Sequence, residues 1–189
     1  PEGAVTTLAG SDTHGHADGA LDPHIWLAPQ NAKILVQKIA EALSTADAAN
    51  TAIYAQNAER TIQDLDELSI QVKAQMAPLA KAGFVVFHDA YQYFETSFGL
   101  VAAGAISINP EVMPGAERLS EIRALIEQDA VTCVFAEPQF KARIVQTIIA
   151  GTGAKSVLID PLGAKLTSGQ DLYFDLIRTM ATAFSTCLD

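Results

Sequence analysis

The sequence predicts an α/β fold in which a parallel four-stranded sheet is flanked by helices. Over the second half of the chain, short apolar runs alternate with helical patterns, as in folds with a mostly parallel sheet. The first of these runs, residues 84–87, follows Gly83 and ends at His88. Four consecutive apolar residues indicate a strand that is buried on both faces.

The elements before this strand are helical. Apolar residues recur every three or four positions over residues 31–44, which predicts a helix with one apolar face. Residues 50–76 carry a narrow apolar stripe opposite a charged face, which predicts a second helix roughly 40 Å long that ends before Pro78. A long helix of this kind often bridges two bodies.

The elements after residue 83 alternate. Three further strands are predicted, at residues 100–108 with a break at Gly104, at 131–136 and at 156–159. Helices are predicted at residues 91–97, from Pro114 or Gly115 onward, at 140–150 and at 171–187.

This order of elements predicts three parts. Residues 80–189 form a complete α/β lobe, and residues 49–79 form a long linker helix. Residues 1–48 contain too few strands to form a domain, so we interpret them as the remnant of a first α/β lobe. The chain starts at Pro1 rather than at a methionine, which indicates a processed protein or an excised piece.

The composition argues against several functions. A net charge of −10 is unfavourable for binding nucleic acid, because neutralising phosphates requires clustered lysine and arginine. No apolar run approaches the roughly 20 residues that a membrane-spanning helix requires. The sequence also lacks the Gly-x-Ser-x-Gly and Gly-x-Gly-x-x-Gly motifs of common hydrolases and dinucleotide-binding proteins. We therefore expect neither a nucleic-acid partner nor a membrane span.

Polar residues follow three of the four predicted strands. His88 and Asp89 follow the first, Glu137 the third and Asp160 the fourth. In a parallel sheet these strand ends share one edge, and His24 joins them if the first lobe faces that edge. Two imidazoles and a carboxylate suit zinc or a similar divalent ion, with Glu137 or Asp89 as the acceptor that orients a histidine.

Each of these residues also has a structural interpretation. A lone histidine at a strand end is more often a satisfied structural residue than a ligand. Asp160 precedes a proline, which is common in turns, and Glu137 before Pro138 is also suited to capping a helix. The 64 residues that separate His24 from His88 match no metal-binding motif.

Two further pairs of residues leave alternatives open. His14 and His16 lie in an irregular acidic segment, which either binds a metal weakly or is a solvated loop. Cys133 and Cys187 are either two unrelated buried thiols or a bridge. A bridge would close a loop of about 55 residues, contribute roughly 4 kcal/mol and indicate an oxidising compartment.

Five motifs, in order along the chain, resemble one protein family. They are Asp-Pro-His-Ile-Trp at residues 22–26, Phe-His-Asp-Ala-Tyr-Gln-Tyr-Phe at 87–94, Asn-Pro-Glu-Val-Met-Pro-Gly at 109–115, Val-Phe-Ala-Glu-Pro-Gln-Phe at 134–140 and Ile-Asp-Pro-Leu-Gly at 159–163. Together they resemble the periplasmic zinc receptors of bacterial ABC importers, the ZnuA family, in register over residues 22–188.

The resemblance implies a transport receptor rather than an enzyme. Such a receptor has two α/β lobes joined by one long helix, with the metal in the cleft between them. The implied ligands are His24 and His88, together with Asp160, which matches an aspartate that binds metal in manganese-type relatives. Cys133 and Cys187 match a pair that forms a disulfide in the zinc receptors.

The implied function is capture of Zn²⁺ in the periplasm and its delivery to an ABC permease in the inner membrane, by a receptor that is a monomer when intact. The family takes another histidine from the first half of the first lobe, which this chain does not contain, so we expect weaker zinc binding. A manganese or iron receptor is the alternative. A metal-dependent enzyme with Glu137 as its general base, or an adhesin, is a third possibility.

Overall fold

A four-stranded sheet, with all neighbouring strands parallel, forms the centre of the molecule. The structure is a computed structural model, and it describes residues 4–9, 21–107, 114–140 and 142–189. The strands are β1 (Gly83–His88), β2 (Gly104–Ser107), β3 (Val131–Ala136) and β4 (Lys155–Leu158), and their order across the sheet is β2-β1-β3-β4. The predicted fold class is therefore confirmed.

Helices connect the strands and precede the sheet. They are α1 (Pro29–Ala46), α2 (Thr51–Met76), α3 (Gln92–Phe98), α4 (Ala116–Gln128), α5 (Ala142–Ile149) and α6 (Leu172–Leu188). Three single 3-10 turns lie at Ile25–Leu27, Ala48–Asn50 and Ala77–Leu79. Within the described ranges, none of the helices combines the length and apolar character that crossing a membrane requires.

The sheet separates two apolar cores, because alternate residues of a strand point to opposite faces. Phe84 and Val86 of β1 face a core that α2, α3 and α6 cover, whereas Val85 and Phe87 face a second core beneath α4 and α5. All four side chains are buried. The expectation that the first strand is buried on both faces is confirmed.

Helix α2 has 26 residues, which corresponds to about 39 Å. Its buried residues, Leu65, Leu68, Val72 and Met76, all lie in the second half, where the helix covers the sheet. Its first half is mostly exposed and packs against α1. The predicted long helix is present, while the division of the chain into two lobes and a linker stays a prediction.

The second strand was predicted too long. It begins at Gly104, so the segment 100–103 is not part of it. Gly99, in the left-handed region at φ 75°, ends α3, and the main-chain nitrogen of Leu100 donates to the carbonyl of Glu95. The Glu95 carboxylate then accepts from the main-chain nitrogen of Ala102 at 2.9 Å. This buried carboxylate keeps the segment irregular, an effect that apolar patterning does not reveal.

A disulfide joins Cys133 of β3 to Cys187 of α6, with the two Cα atoms 5.6 Å apart. Both residues are buried, so the bond links an inner strand of the sheet to the helix that covers it. The pairing implied by the family resemblance is confirmed. Any free energy that the bond contributes comes mainly from the restriction of the unfolded chain over the loop it closes.

Candidate metal centre

His88 is the last residue of β1 and is held by the sheet. It is only 8% exposed, and its Nδ1 lies 2.7 Å from Oε1 of Glu137, which follows β3 and is 3% exposed. Because β1 and β3 are neighbouring parallel strands, their carboxyl ends meet at one edge of the sheet. The ring of Phe140 contacts the His88 ring, with the centroids 5.7 Å apart. The sheet thus fixes both the position of His88 and its acceptor.

His24 lies in a loop, immediately before the 3-10 turn Ile25–Leu27. Its Nδ1 lies 2.6 Å from Oδ1 of Asp22, and its main-chain nitrogen donates to the same oxygen at 2.9 Å. Asp22 is 2% exposed. This short segment therefore carries both the histidine and the carboxylate that orients it. Pro23 between them restricts the backbone and so limits their relative positions.

Three hydrogen bonds to distant parts of the chain anchor this loop. The Trp26 indole nitrogen donates to the carbonyl of Pro161 at 3.0 Å. Hydroxyls of Tyr173 and Tyr93 donate to the carbonyls of Trp26 and Asp22, at 2.8 Å and 3.1 Å. The loop is therefore attached to α3, to α6 and to the segment after β4.

These supports bring the two histidines together. The ring centroids of His24 and His88 lie 5.4 Å apart, and the ring planes are inclined by 62°. An ionised carboxylate only accepts hydrogen bonds, so each Nδ1 carries a proton, and in a neutral imidazole the lone pair is then on Nε2. Among the described residues, neither Nε2 has a hydrogen-bond partner. Both nitrogens are available to a cation, as in metal sites where a carboxylate orients the ligating histidine.

Asp160, the third predicted ligand, is engaged in a turn. Its Oδ1 accepts from the Gln139 side chain at 2.7 Å and from the main-chain nitrogen of Leu162 at 3.1 Å. Its Oδ2 accepts from the main-chain nitrogen of Ala164 at 2.7 Å. Within the described part of the chain, no three histidine, cysteine, aspartate or glutamate residues form a group that could hold a metal ion. The ligand role of Asp160 stays a prediction.

The remaining predicted residues differ in their outcome. Of the two carboxylates expected to orient His88, Glu137 makes the contact, while Oδ2 of Asp89 accepts from the Gln92 side chain at 2.8 Å. His14 and His16 lie outside the described residues. Sequence reasoning missed Asp22, although its separation from His24 by a single proline was a local signal that the motif contained.

Tyr91 is fully buried beside this edge of the sheet. Burial, followed by the negative charges of Glu137 and Asp160, raises the pKa of its hydroxyl well above the ordinary tyrosine value. Within the described residues the hydroxyl makes no hydrogen bond of good geometry. The site therefore contains a neutral donor that is close to Glu137 but not aligned with it.

Comparison with known proteins gives consistent matches. The family model "ZnuA: Zinc-uptake complex component A periplasmic" matches residues 2–187. The high-affinity zinc uptake system protein ZnuA of Brucella abortus (strain 2308) is 46% identical over 170 residues, which are 90% of this chain and 51% of the relative. The protein of the same name from Haemophilus influenzae is 37% identical over 87% of this chain and 49% of the relative. The chain thus spans about half the length of the curated relatives it matches.

Solved structures are similar as well. A crystal structure of ZnuA superimposes with a TM-score of 0.79 at 29% identity, covering 92% of this chain and 64% of that chain. A mutant of the laminin-binding adhesin Lmb from Streptococcus agalactiae gives 0.83 at 27% identity, covering 98% of this chain and 68% of that chain. From the sheet, the histidine motifs and these matches together, the chain belongs to the ZnuA family of periplasmic zinc-uptake components.

Proposed function

We propose that this chain is part of a periplasmic receptor that binds Zn²⁺ and delivers it to an ABC permease in the inner membrane. One observation carries the proposal: the ring centroids of two imidazoles lie 5.4 Å apart, and a buried carboxylate orients each ring through Nδ1. Relatives named as zinc uptake proteins support zinc as the cargo. The receptor has no catalytic role in this proposal.

The spacing of the rings suits a shared zinc ion. Zinc binds imidazole nitrogen at about 2.0–2.1 Å with tetrahedral angles, which puts the centroids of two ligating rings roughly 5 Å apart. The observed separation of 5.4 Å is close to this value. His24 and His88 are therefore the proposed ligands, with Asp22 and Glu137 as the acceptors that orient them.

Two imidazoles do not complete a zinc site, because structural zinc is almost always four-coordinate. The remaining positions would be filled by Asp160 as predicted, by residues outside the described ranges or by water. We further propose that residues 1–48 belong to a first lobe, residues 49–79 to a linker helix and residues 80–189 to a second lobe.

Zinc titration by competition with a chelating dye tests the proposed ligands. We expect His24→Ala and His88→Ala each to weaken binding by more than about a hundredfold, beyond the 10–100-fold effect of losing an outer partner. The double variant His14→Ala/His16→Ala tests whether those two histidines contribute to the site. The control is Val101→Ala at an exposed position before β2, for which we expect no change. Unchanged affinity in either single variant would exclude that histidine as a ligand.

The alternatives make different predictions. Nitrogen ligands bind Zn²⁺ more tightly than Mn²⁺ or Fe²⁺, so we expect titration with Mn²⁺ to give much weaker binding; the reverse order would favour the manganese receptor. Glu137 is buried against His88, so a role as general base would require it to leave the histidine that it orients. We therefore favour a receptor over a metal-dependent enzyme.

A further inference from the structure

Asp160 is connected to the supports of both histidines. Its carboxylate accepts three hydrogen bonds, from the Gln139 side chain and from the main-chain nitrogens of Leu162 and Ala164. Hydrogen bonds to an ionised acceptor are roughly twice as strong as neutral ones. One side chain after β4 thus joins the loop that follows β3 to the turn at residues 161–164.

The first connection leads to His88. Gln139 donates to Asp160 at 2.7 Å and lies two residues after Glu137 in the loop that follows β3. Glu137 in turn holds Nδ1 of His88 at 2.7 Å. The Asp160–Gln139 bond therefore restrains the loop that carries the His88 acceptor.

The second connection leads to His24. Aspartate bonded to main-chain nitrogens two and four residues later stabilises the turn between them. In that turn, the carbonyl of Pro161 accepts from the Trp26 indole at 3.0 Å. Trp26 lies two residues after His24, and their ring centroids are 5.3 Å apart. The Asp160 turn therefore presents the acceptor that anchors the His24 loop.

We propose that Asp160 is a positioning residue that sets the separation between the His24 and His88 rings through these two connections. The proposal rests on the proposed zinc-binding function, and it gives Asp160 a role other than that of a ligand. Both carboxylate oxygens already accept hydrogen bonds. Acting as a ligand would require Asp160 to release at least part of the turn that it holds.

The metal-free protein provides the first test, because Trp26 is the single tryptophan in the chain. Asp160→Ala should shift the emission of Trp26 without zinc, since the turn that holds Pro161 loosens. Loss of a ligand alone would leave this emission unchanged, and that result would overturn the proposal. Asp129→Ala, at the opposite edge of the sheet just before β3, is the matched control and should leave the emission unchanged.

A double-mutant cycle on zinc affinity provides the second test. Asp160→Ala should weaken binding about tenfold in the wild-type background, as for other groups that orient ligands. In the Trp26→Phe background its further effect should be clearly smaller, because one of the two connections is already broken. The same tenfold factor in both backgrounds would show that Asp160 acts independently of Trp26 and would overturn the proposal.

Two measurements keep the test decisive. If Asp160→Ala does not fold, as judged by circular dichroism, Asp160→Asn replaces it, since it retains one acceptor oxygen but loses the charge. Gln139→Ala breaks only the His88 connection and should weaken zinc binding without moving the Trp26 emission.

If the wild-type chain binds no zinc, the proposed function fails, while the emission of the metal-free variants still decides whether Asp160 anchors Trp26.

Discussion

The two histidines are equivalent in chemistry but differ in how the chain holds them. His88 ends a central strand, and its acceptor Glu137 is 49 residues away, immediately after the neighbouring strand. His24 lies in a loop, and its acceptor Asp22 is two residues away. Hydrogen-bonded strands and two apolar cores hold the first histidine, whereas a few side-chain hydrogen bonds anchor the second.

This difference shows that one site can combine a rigid half, here His88 with Glu137, and an adjustable half, here His24 with Asp22. The backbone of His88 moves only when the sheet does, because Phe84, Val85 and Val86 in the same strand are fully buried. The His24 side depends on single hydrogen bonds from Trp26 and Tyr173, each of which contributes about 1 kcal/mol. Mutations in the two halves of the site should therefore differ in their effects on stability and on local hydrogen exchange.

The largest effect on stability is expected for a mutation in the core beneath β1, which supports His88. Phe84→Ala removes a ring that lies 5.2 Å from the ring of Phe184 and 5.8 Å from that of Phe135, in the core beneath β1. We expect the free energy of unfolding to fall by about 3–5 kcal/mol, measured by urea denaturation. The exposed Val101 is the control, and Val101→Ala should change it by less than about 0.5 kcal/mol. Similar losses in both variants would contradict the assignment of the core.

The second prediction compares the two acceptors. Glu137→Ala and Asp22→Ala should each weaken zinc binding by about 10–100-fold. Asp22 also accepts from the main-chain nitrogen of His24, so its loss should speed hydrogen exchange at residues 24–27. Glu137→Ala should leave exchange in β1 unchanged, because strand pairing holds His88. Equal loosening of both segments would show that the two halves do not differ.

A smaller effect is expected from two tyrosines, the buried Tyr91 and the partly buried Tyr173. Tyr173→Phe removes the donor to the Trp26 carbonyl and should cost about 1 kcal/mol of unfolding free energy. Tyr91→Phe removes a hydroxyl that has no well-aligned partner among the described residues, so it should be nearly neutral. Thermal unfolding of both variants measures this. A loss in Tyr91→Phe equal to that in Tyr173→Phe would indicate that Tyr91 bonds to Glu137 in solution.

The last effect is confined to alkaline pH and is absent near neutral pH. Burial raises the pKa of both Tyr91 and Tyr173 in the folded state. The unfolded chain releases these protons near pH 10, so above that pH it binds fewer protons than the folded chain, and the free energy of unfolding falls. We expect Tyr91→Phe to reduce this fall between about pH 10 and pH 11. Parallel curves of urea midpoint against pH for the variant and the wild type would contradict it.

The rigid half could be predicted from sequence because its signals are local. A continuous apolar run marks β1, and parallel strands bring His88 and Glu137 to one edge of the sheet. The loop half could not be predicted in the same way. Its position depends on hydrogen bonds from Tyr93 and Tyr173 and on the bond from Trp26 to the Pro161 carbonyl. These bonds join residues 71, 147 and 135 positions apart and leave no periodic pattern.

The same reasoning explains the two remaining differences. The start of β2 depends on the Glu95 carboxylate, which accepts from the main-chain nitrogen of Ala102. Asp160 follows a strand, as predicted, but which groups its oxygens accept from depends on the turn of residues 161–164. Patterning places such a carboxylate at the right edge of the sheet without revealing whether it binds a cation or the chain itself.

The rate at which the buried disulfide is reduced reports on the motion of helix α6. Reduction requires an external thiolate to reach a sulfur atom, and Cys133 and Cys187 are 0% and 1% exposed. A small thiol such as dithiothreitol can react only when α6 separates from β3. The rate at which the native protein is reduced, followed by trapping the released thiols, therefore measures how often α6 separates from β3.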